Sequence, residues 1–201
     1  MSQPSLVFAP GAGAPSTSRW MGAWAGRLAH HGQVHCFDYP YMAQGKRRPD
    51  PLPRLVQAHW AAASSVRTGA EALVLVGKSM GGRIGCHVAV EQPDAVRALI
   101  CFGYPLVGSG KLKKRRDQVL RALNLPILFV QGDRDTMCPL DELASVRREM
   151  DAPSELYVVV GGNHSLEVGK RQLKTLGETQ ADVDDRIEAA VAQFLSRYAS
   201  T

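Results

Sequence analysis

A chain of 201 residues, 45% hydrophobic and 21% charged, has the size and balance of one ordinary folded domain with material for a sizeable core. It contains no run of 18 apolar residues, which excludes a spanning helix, and MSQPSLVFAPGAGAPS at the N-terminus lacks the basic start of a secretory signal, so a cytoplasmic location is expected. The net charge of +5 is local: KLKKRR, Lys111–Arg116, holds five basic residues and no acid, so it says little about the rest of the surface.

SLVFA, Ser5–Ala9, reads as a strand and runs into the small-residue stretch APGAGAPS. TSRWMGAWAGRLAHHG fits a helix opened by a Ser or Thr cap and stopped at Gly32. QVHCFDYP reads as a second strand, Tyr41–Pro53 as a polar loop with three prolines, and RLVQAHWAAASSVR as a helix. Leu73–Val76 is an unbroken apolar run, the mark of a strand buried on both faces. Arg83–Gln92 then reads as a helix ended by Pro93. VRALICFGYP is a strand, and the basic segment after it is expected to be partly helical through RRDQVLRALN. PILFVQGD is a strand, PLDELASVRREM a helix opened by Pro139, and ELYVVV a strand. DVDDRIEAAVAQFLSRYA closes the chain as a helix with an acidic start, which suits the helix dipole. Strand and helix alternate throughout. The pattern predicts a single α/β domain over residues 1–201, a mostly parallel, doubly wound sheet with helices on both faces. In such sheets reactive groups collect beyond the carboxyl ends of the strands.

The stretch LVLVGKSMGG, Leu73–Gly82, admits two readings. Gly77-Lys78-Ser79 could end a phosphate-cradling loop, but such a loop needs an earlier glycine and flexible residues between. Ala72 stands five residues before Gly77, and the intervening residues are all apolar. Strand, tight turn and helix with Ser79 between Gly77 and Gly81 instead fit the nucleophile elbow G-x-S-x-G. Ser79 is then the candidate nucleophile. A serine hydroxyl is a weak nucleophile at neutral pH, so an imidazole must take its proton, and a carboxylate must orient that imidazole.

Later strand ends supply both partners. QGDRDTMCP carries Asp133 and Asp135, and Asp135, framed by Gly132 and Pro139, is the expected acid. Asp133 is expected to bond nearby backbone N–H groups as a turn residue. His164, in GGNHS after the last strand, is the expected base; the other five histidines fall in helices, at a helix end or in a strand. The order Ser…Asp…His is that of the α/β-hydrolase triad. Acyl transfer also needs oxyanion donors, expected at the backbone N–H groups of Met80, next to the nucleophile, and of Ala12, between Gly11 and Gly13 in the loop after the first strand. Gly11, Gly13, Arg19, Trp20, Lys78, Tyr104 and Met137 lie in or beside these loops and could touch substrate, with the alternative for Lys78 that it points to a neighbouring strand. Arg83 could tie neighbouring loops together. Only about twenty residues separate Tyr104 from Pro126, too few for a substantial lid, so a short acyl group or an exposed ester is favoured.

APGAGAPSTSRWM, GKSMGGR, LICFGYPL, ILFVQGDRDTMCP and VVGGNHSLE, taken together and in order, resemble the α/β-hydrolase-like family of testis-expressed protein 30 and NSL-complex subunit 3 with its bacterial relatives. The resemblance spans nearly the whole chain. It implies an α/β-hydrolase fold, a Ser79–Asp135–His164 triad and kinship with dienelactone-hydrolase-type enzymes, and it supplies no substrate. A small-molecule ester, thioester or amide is the expected substrate, with no cofactor and no metal; no C-x-x-C pair occurs among Cys36, Cys86, Cys101 and Cys138, which read as reduced thiols. The competing reading is a non-catalytic binding or scaffold protein on the same fold. A third, nucleic-acid binding through Lys111–Arg116, is weakened by the lack of interleaved aromatics to stack bases, so no nucleic-acid and no membrane partner is expected.

Overall fold

The computed structural model describes residues 3–67, 71–108 and 115–200. Its centre is a six-stranded sheet made of β1 (Ser5–Ala9), β2 (Gln33–Cys36), β3 (Leu73–Lys78), β4 (Ala98–Phe102), β5 (Ile127–Gly132) and β6 (Ser154–Val159), in the spatial order β2-β1-β3-β4-β5-β6. Every pairing is parallel. This is the sheet expected from the alternation of apolar runs and helices.

The two sheet faces bury alternate residues of each central strand. Val7, Leu73, Leu75, Leu99, Cys101, Ile127 and Phe129 face one core. That core is closed by α3 (Leu52–Ser65), α4 (Met80–Glu91), α5 (Gln118–Arg121) and α6 (Leu140–Arg148), which contribute Leu55, Ile84, Leu120 and Leu143 among others. Leu6, Phe8, Val74, Val76, Ile100, Phe102, Leu128 and Val130 face the other core. There α1 (Arg19–Leu28) and α8 (Gln180–Tyr198) pack through Met21, Trp24, Leu28, Ile187, Val191 and Phe194. The last helix starts at a capping box: Thr179 accepts from the Asp182 amide, and the Asp182 carboxylate accepts from the Thr179 amide at 2.7 Å.

Two further helices, α2 (Pro40–Ala43) and α7 (Lys170–Leu176), lie in stretches expected to carry none. The first helix is also shorter than expected, and β2 ends at Cys36 instead of running to Pro40. Among the described residues no helix is long and apolar enough to cross a membrane. Between β4 and β5 the described residues hold one four-residue helix, α5. Residues 111–114 of the basic run lie outside the described residues. Arg115 pairs with Asp117 at 2.8 Å and Glu142 at 3.3 Å.

The connectivity fixes where a site can form. The chain goes from β1 outward to β2, then returns to the other side of β1 as β3. Beyond the carboxyl ends of β1 and β3 their loops therefore diverge to opposite sides of the sheet, leaving a crevice. The loop after β1 and the turn after β3 meet there.

Candidate active site

The turn after β3 is tight. Ser79 has φ 50° and ψ −114°, a backbone conformation that costs a non-glycine residue on the order of 1–3 kcal/mol. Neighbouring backbone enforces it. A Cβ on Gly77 would lie 2.1 Å from the Gly82 nitrogen, and one on Gly81 would lie 2.4 Å from the Ala9 oxygen. Backbone cannot yield there as a flexible side chain could. Gly81→Ala is therefore expected to destabilise the protein by several kcal/mol or abolish soluble expression, with thermal melting as the check. Gly11 and Gly13 differ: a Cβ on Gly11 would make ordinary contacts at 3.5 Å, and one on Gly13 would meet nothing.

At this turn three side chains from three loops meet. His164 Nε2 lies 2.8 Å from Ser79 Oγ, and His164 Nδ1 lies 2.7 Å from Asp135 Oδ2. The Asp135 side chain is 1% exposed and that of His164 28%, so the carboxylate is shielded while the imidazole meets solvent. Burial pushes the Asp135 carboxyl up. The hydrogen bond and charge of His164, the Met137 amide at 2.8 Å and the Gln131 side-chain amide at 2.6 Å outweigh it and hold the group below its ordinary value.

Gln131, missed in the sequence, is buried at the end of β5. Its Nε2–H donates to Asp135, and its Oε1 accepts the Tyr104 amide at 2.9 Å, which fixes the amide's orientation. The one signal for it was a lone polar residue in an otherwise apolar strand. Asn163 was missed as well: its Oδ1 accepts the amides of Ser165 and Glu167 and so shapes the His164 loop. Asp133 accepts the Gly161 amide at 2.7 Å, tying the β5 and β6 loops together.

The loop expected to carry one oxyanion donor adjoins the elbow, where a Cβ on Gly11 would lie 3.5 Å from Ser79 Cβ. Among the described residues, neither the Met80 amide nor the Ala12 amide has a hydrogen-bond acceptor. The Ala12 loop is held from behind, its carbonyl accepting the Tyr41 hydroxyl at 3.0 Å and the Ser16 amide donating to Asp38 at 2.6 Å. Burial, with the charges of Asp50 and Asp38, pushes the Tyr41 phenol up to about 12, so it stays a donor at neutral pH.

The flanking residues divide. Arg19 and Trp20 line a groove of about 1030 Å³ with Asn163, Ser165 and Glu167, and no triad residue lines it. Trp20 also packs on Phe8, Trp24 and Phe102. Met137 is half-buried. Tyr104 must be corrected. It is fully buried, its hydroxyl donating to the Arg116 carbonyl at 2.8 Å, because the chain turns inward after β4 and carries the ring into the core against Phe129. Tyr104 therefore lines no substrate surface. Of Arg83, expected to tie neighbouring loops, the buried Nε has no hydrogen-bond partner among the described residues. Among the described residues no group of three or more His, Cys, Asp or Glu side chains could hold a metal ion.

Comparison with known proteins agrees with the fold. Residues 2–196 match the family described as "Alpha/beta hydrolase domain". A Salmonella typhimurium (strain LT2) protein named "Putative carboxymethylenebutenolidase" is 31% identical over 121 residues, covering 57% of this chain and 43% of that protein. The chain thus spans less than half the length of that relative. A dienelactone hydrolase from Anabaena variabilis superposes with a TM-score of 0.71 at 15% identity, covering 99% of this chain and 88% of that one. An alpha-beta serine hydrolase homologue from Coxiella burnetii superposes with a TM-score of 0.73 at 19% identity, covering 97% and 87%. At these identities the two likenesses are of fold alone.

Proposed function

Since this chain belongs to the alpha/beta hydrolase domain family, we propose that it is a serine hydrolase of small esters, thioesters or amides. The observation that carries the reading is the pair of hydrogen bonds joining Ser79, His164 and Asp135, made from three separate loops. Its motifs keep the resemblance to the testis-expressed protein 30 and NSL-complex subunit 3 family as part of the same proposal, with the whole chain one hydrolase domain.

The reaction starts with His164 Nε2 accepting the Ser79 Oγ proton as the oxygen attacks the substrate carbonyl carbon. Asp135 holds the Nδ1 proton, which fixes the productive tautomer and stabilises the imidazolium. The carbonyl oxygen, now an oxyanion, accepts from the amides of Met80 and Ala12, and their lack of other acceptors supports this role. The tetrahedral intermediate then collapses. The bond to the leaving group breaks, the His164 proton passes to that group, and the acyl chain stays on Ser79. Water, deprotonated by His164, repeats the sequence to release the acid and restore the hydroxyl.

The openness of the site bears on substrate size. With His164 facing solvent and α5 the one described element between β4 and β5, the described residues place no lid helix over Ser79. A p-nitrophenyl ester series is expected to give its highest kcat/KM with acetate or butyrate and to fall steadily with longer chains. The relatives' names add a lactone to the panel. Preference for a long acyl chain, or no turnover of any member by folded protein, would contradict the proposal.

A further inference from the structure

The residue that precedes the nucleophile is a lysine at the end of a buried strand. Lys78 is 9% exposed, and among the described residues no carboxylate lies within ion-pair distance of it. Its Nζ donates to the backbone carbonyl of His164, and among the described residues no other donor reaches that oxygen. The same Nζ lies over the Trp20 ring, 5.2 Å from its centroid. Trp20 in turn donates Nε1–H to the Ser165 carbonyl at 2.9 Å, so adjacent carbonyls of the His164 loop are each held by a side chain. A Cβ on Gly103 would lie 2.5 Å from the His164 oxygen and 3.2 Å from Nζ. The elbow, the turn after β4 and the His164 loop therefore converge on this one contact.

A buried charge without a counter-ion is unfavourable, and an apolar side chain of the same length would fill the space without that penalty. Packing alone does not account for an amine here.

We propose that Lys78 is a positioning residue for hydrolysis, its amine gripping the His164 backbone so that the imidazole of the same residue stays aligned between Ser79 Oγ and Asp135 Oδ2. This inference rests on the serine-hydrolase reading. It gives the elbow lysine a task distinct from the nucleophile's: the strand that delivers Ser79 also sets the distance to its base.

The grip depends on protonation. Burial lowers the Lys78 pKa to about 8, opposed by the charges of Asp135 and Glu167. Among the described residues those two carboxylates are the charges that act on it, and its contact with His164 is to the backbone carbonyl. From α1 and the turn after β4 come the uncharged Trp20 and Gly103. Below pH 8 an ammonium makes a charge-assisted bond to the carbonyl. Above it a neutral amine makes a bond roughly half as strong. The kcat of wild type should therefore decline around pH 8 to a lower plateau instead of to zero.

The test pairs Lys78→Met with wild type. At pH 7 the variant is expected to lose about 10- to 100-fold in kcat, as befits a small misplacement of a reacting group, with KM within about threefold. Its pH profile should lack the decline near pH 8 and lie flat, below the wild-type high-pH plateau, because methionine makes no bond to the carbonyl at any pH. Hydrogen exchange at the Leu166 amide, which closes the His164 loop onto Asn163, should speed up. Wild-type kcat with an unchanged alkaline decline, or unchanged Leu166 exchange, overturns the inference. If Lys78→Met does not fold, the wild-type protein still decides: Leu166 exchange, corrected for intrinsic rates, must rise between pH 7 and pH 9. The exchange readout needs no turnover. A wild type that hydrolyses no ester therefore sinks the hydrolase reading separately.

Discussion

Ser79→Ala is expected to lower kcat by about a million-fold on any ester that wild type hydrolyses, leaving only the residual rate due to binding and oxyanion stabilisation. On the proposed mechanism the effect is large because Ser79, His164 and Asp135 act as a unit. Without Oγ, His164 has no proton to accept and no acyl-enzyme forms. The fold should survive. Alanine keeps the Cβ that the elbow already accommodates at φ 50°, and the loss is one hydrogen bond beside a solvent-facing imidazole. Melting within a few degrees of wild type, together with an unchanged KM in any residual activity, separates lost chemistry from lost structure.

Asp135→Asn is expected to cost about ten-thousand-fold in kcat, through the tautomer of His164. Asp135 Oδ2 accepts from both His164 Nδ1 and Gln131 Nε2, while Oδ1 accepts the Met137 amide. An asparagine cannot reproduce three accepting contacts. If its NH2 takes the Oδ2 place, it meets the Gln131 amide donor and forces His164 Nδ1 to accept, which moves the ring proton to Nε2 and abolishes the base. If its NH2 takes the Oδ1 place, it opposes the Met137 N–H. Either arrangement leaves a buried donor unsatisfied, at a cost of about 1–3 kcal/mol. Stability should also change in its pH dependence. Asp135 is held below its ordinary value in the folded protein. Its contribution is thus fully present above that ordinary value and is lost as pH falls through the lowered one. Melting of wild type from about pH 5 downward should show this loss, and the asparagine variant should lack that component.

Much of this architecture could be read from the chain because burial on both faces leaves a simple trace. Leu73–Val76 and Ile127–Val130 are apolar without interruption, and both are central strands. Gly77 and Gly81 mark the elbow because backbone passes where their side chains would be. His164 and Asp135 were singled out by standing just past strands, and the structure brings both to Ser79. What escaped has physical reasons. The four residues of α2 and seven of α7 are too few to display a helical period, and α7 buries none of its residues. Gln131 looks like an isolated polar interruption, and only the loops beyond β4 and β5 give it partners, Tyr104 and Asp135. Tyr104 departs from its expected place because standing after a strand does not fix where the side chain goes; its ring packs on Phe129 and its hydroxyl is satisfied inside by the Arg116 carbonyl.

The most direct measurement is the mass of the native protein after exposure to a fluorophosphonate, with the adduct located by peptide sequencing. A triad poised for acyl transfer predicts one adduct, on Ser79, formed at a rate that drops sharply in His164→Ala. Folded protein that takes up no label, or carries it elsewhere with Ser79 unmodified, would contradict the account.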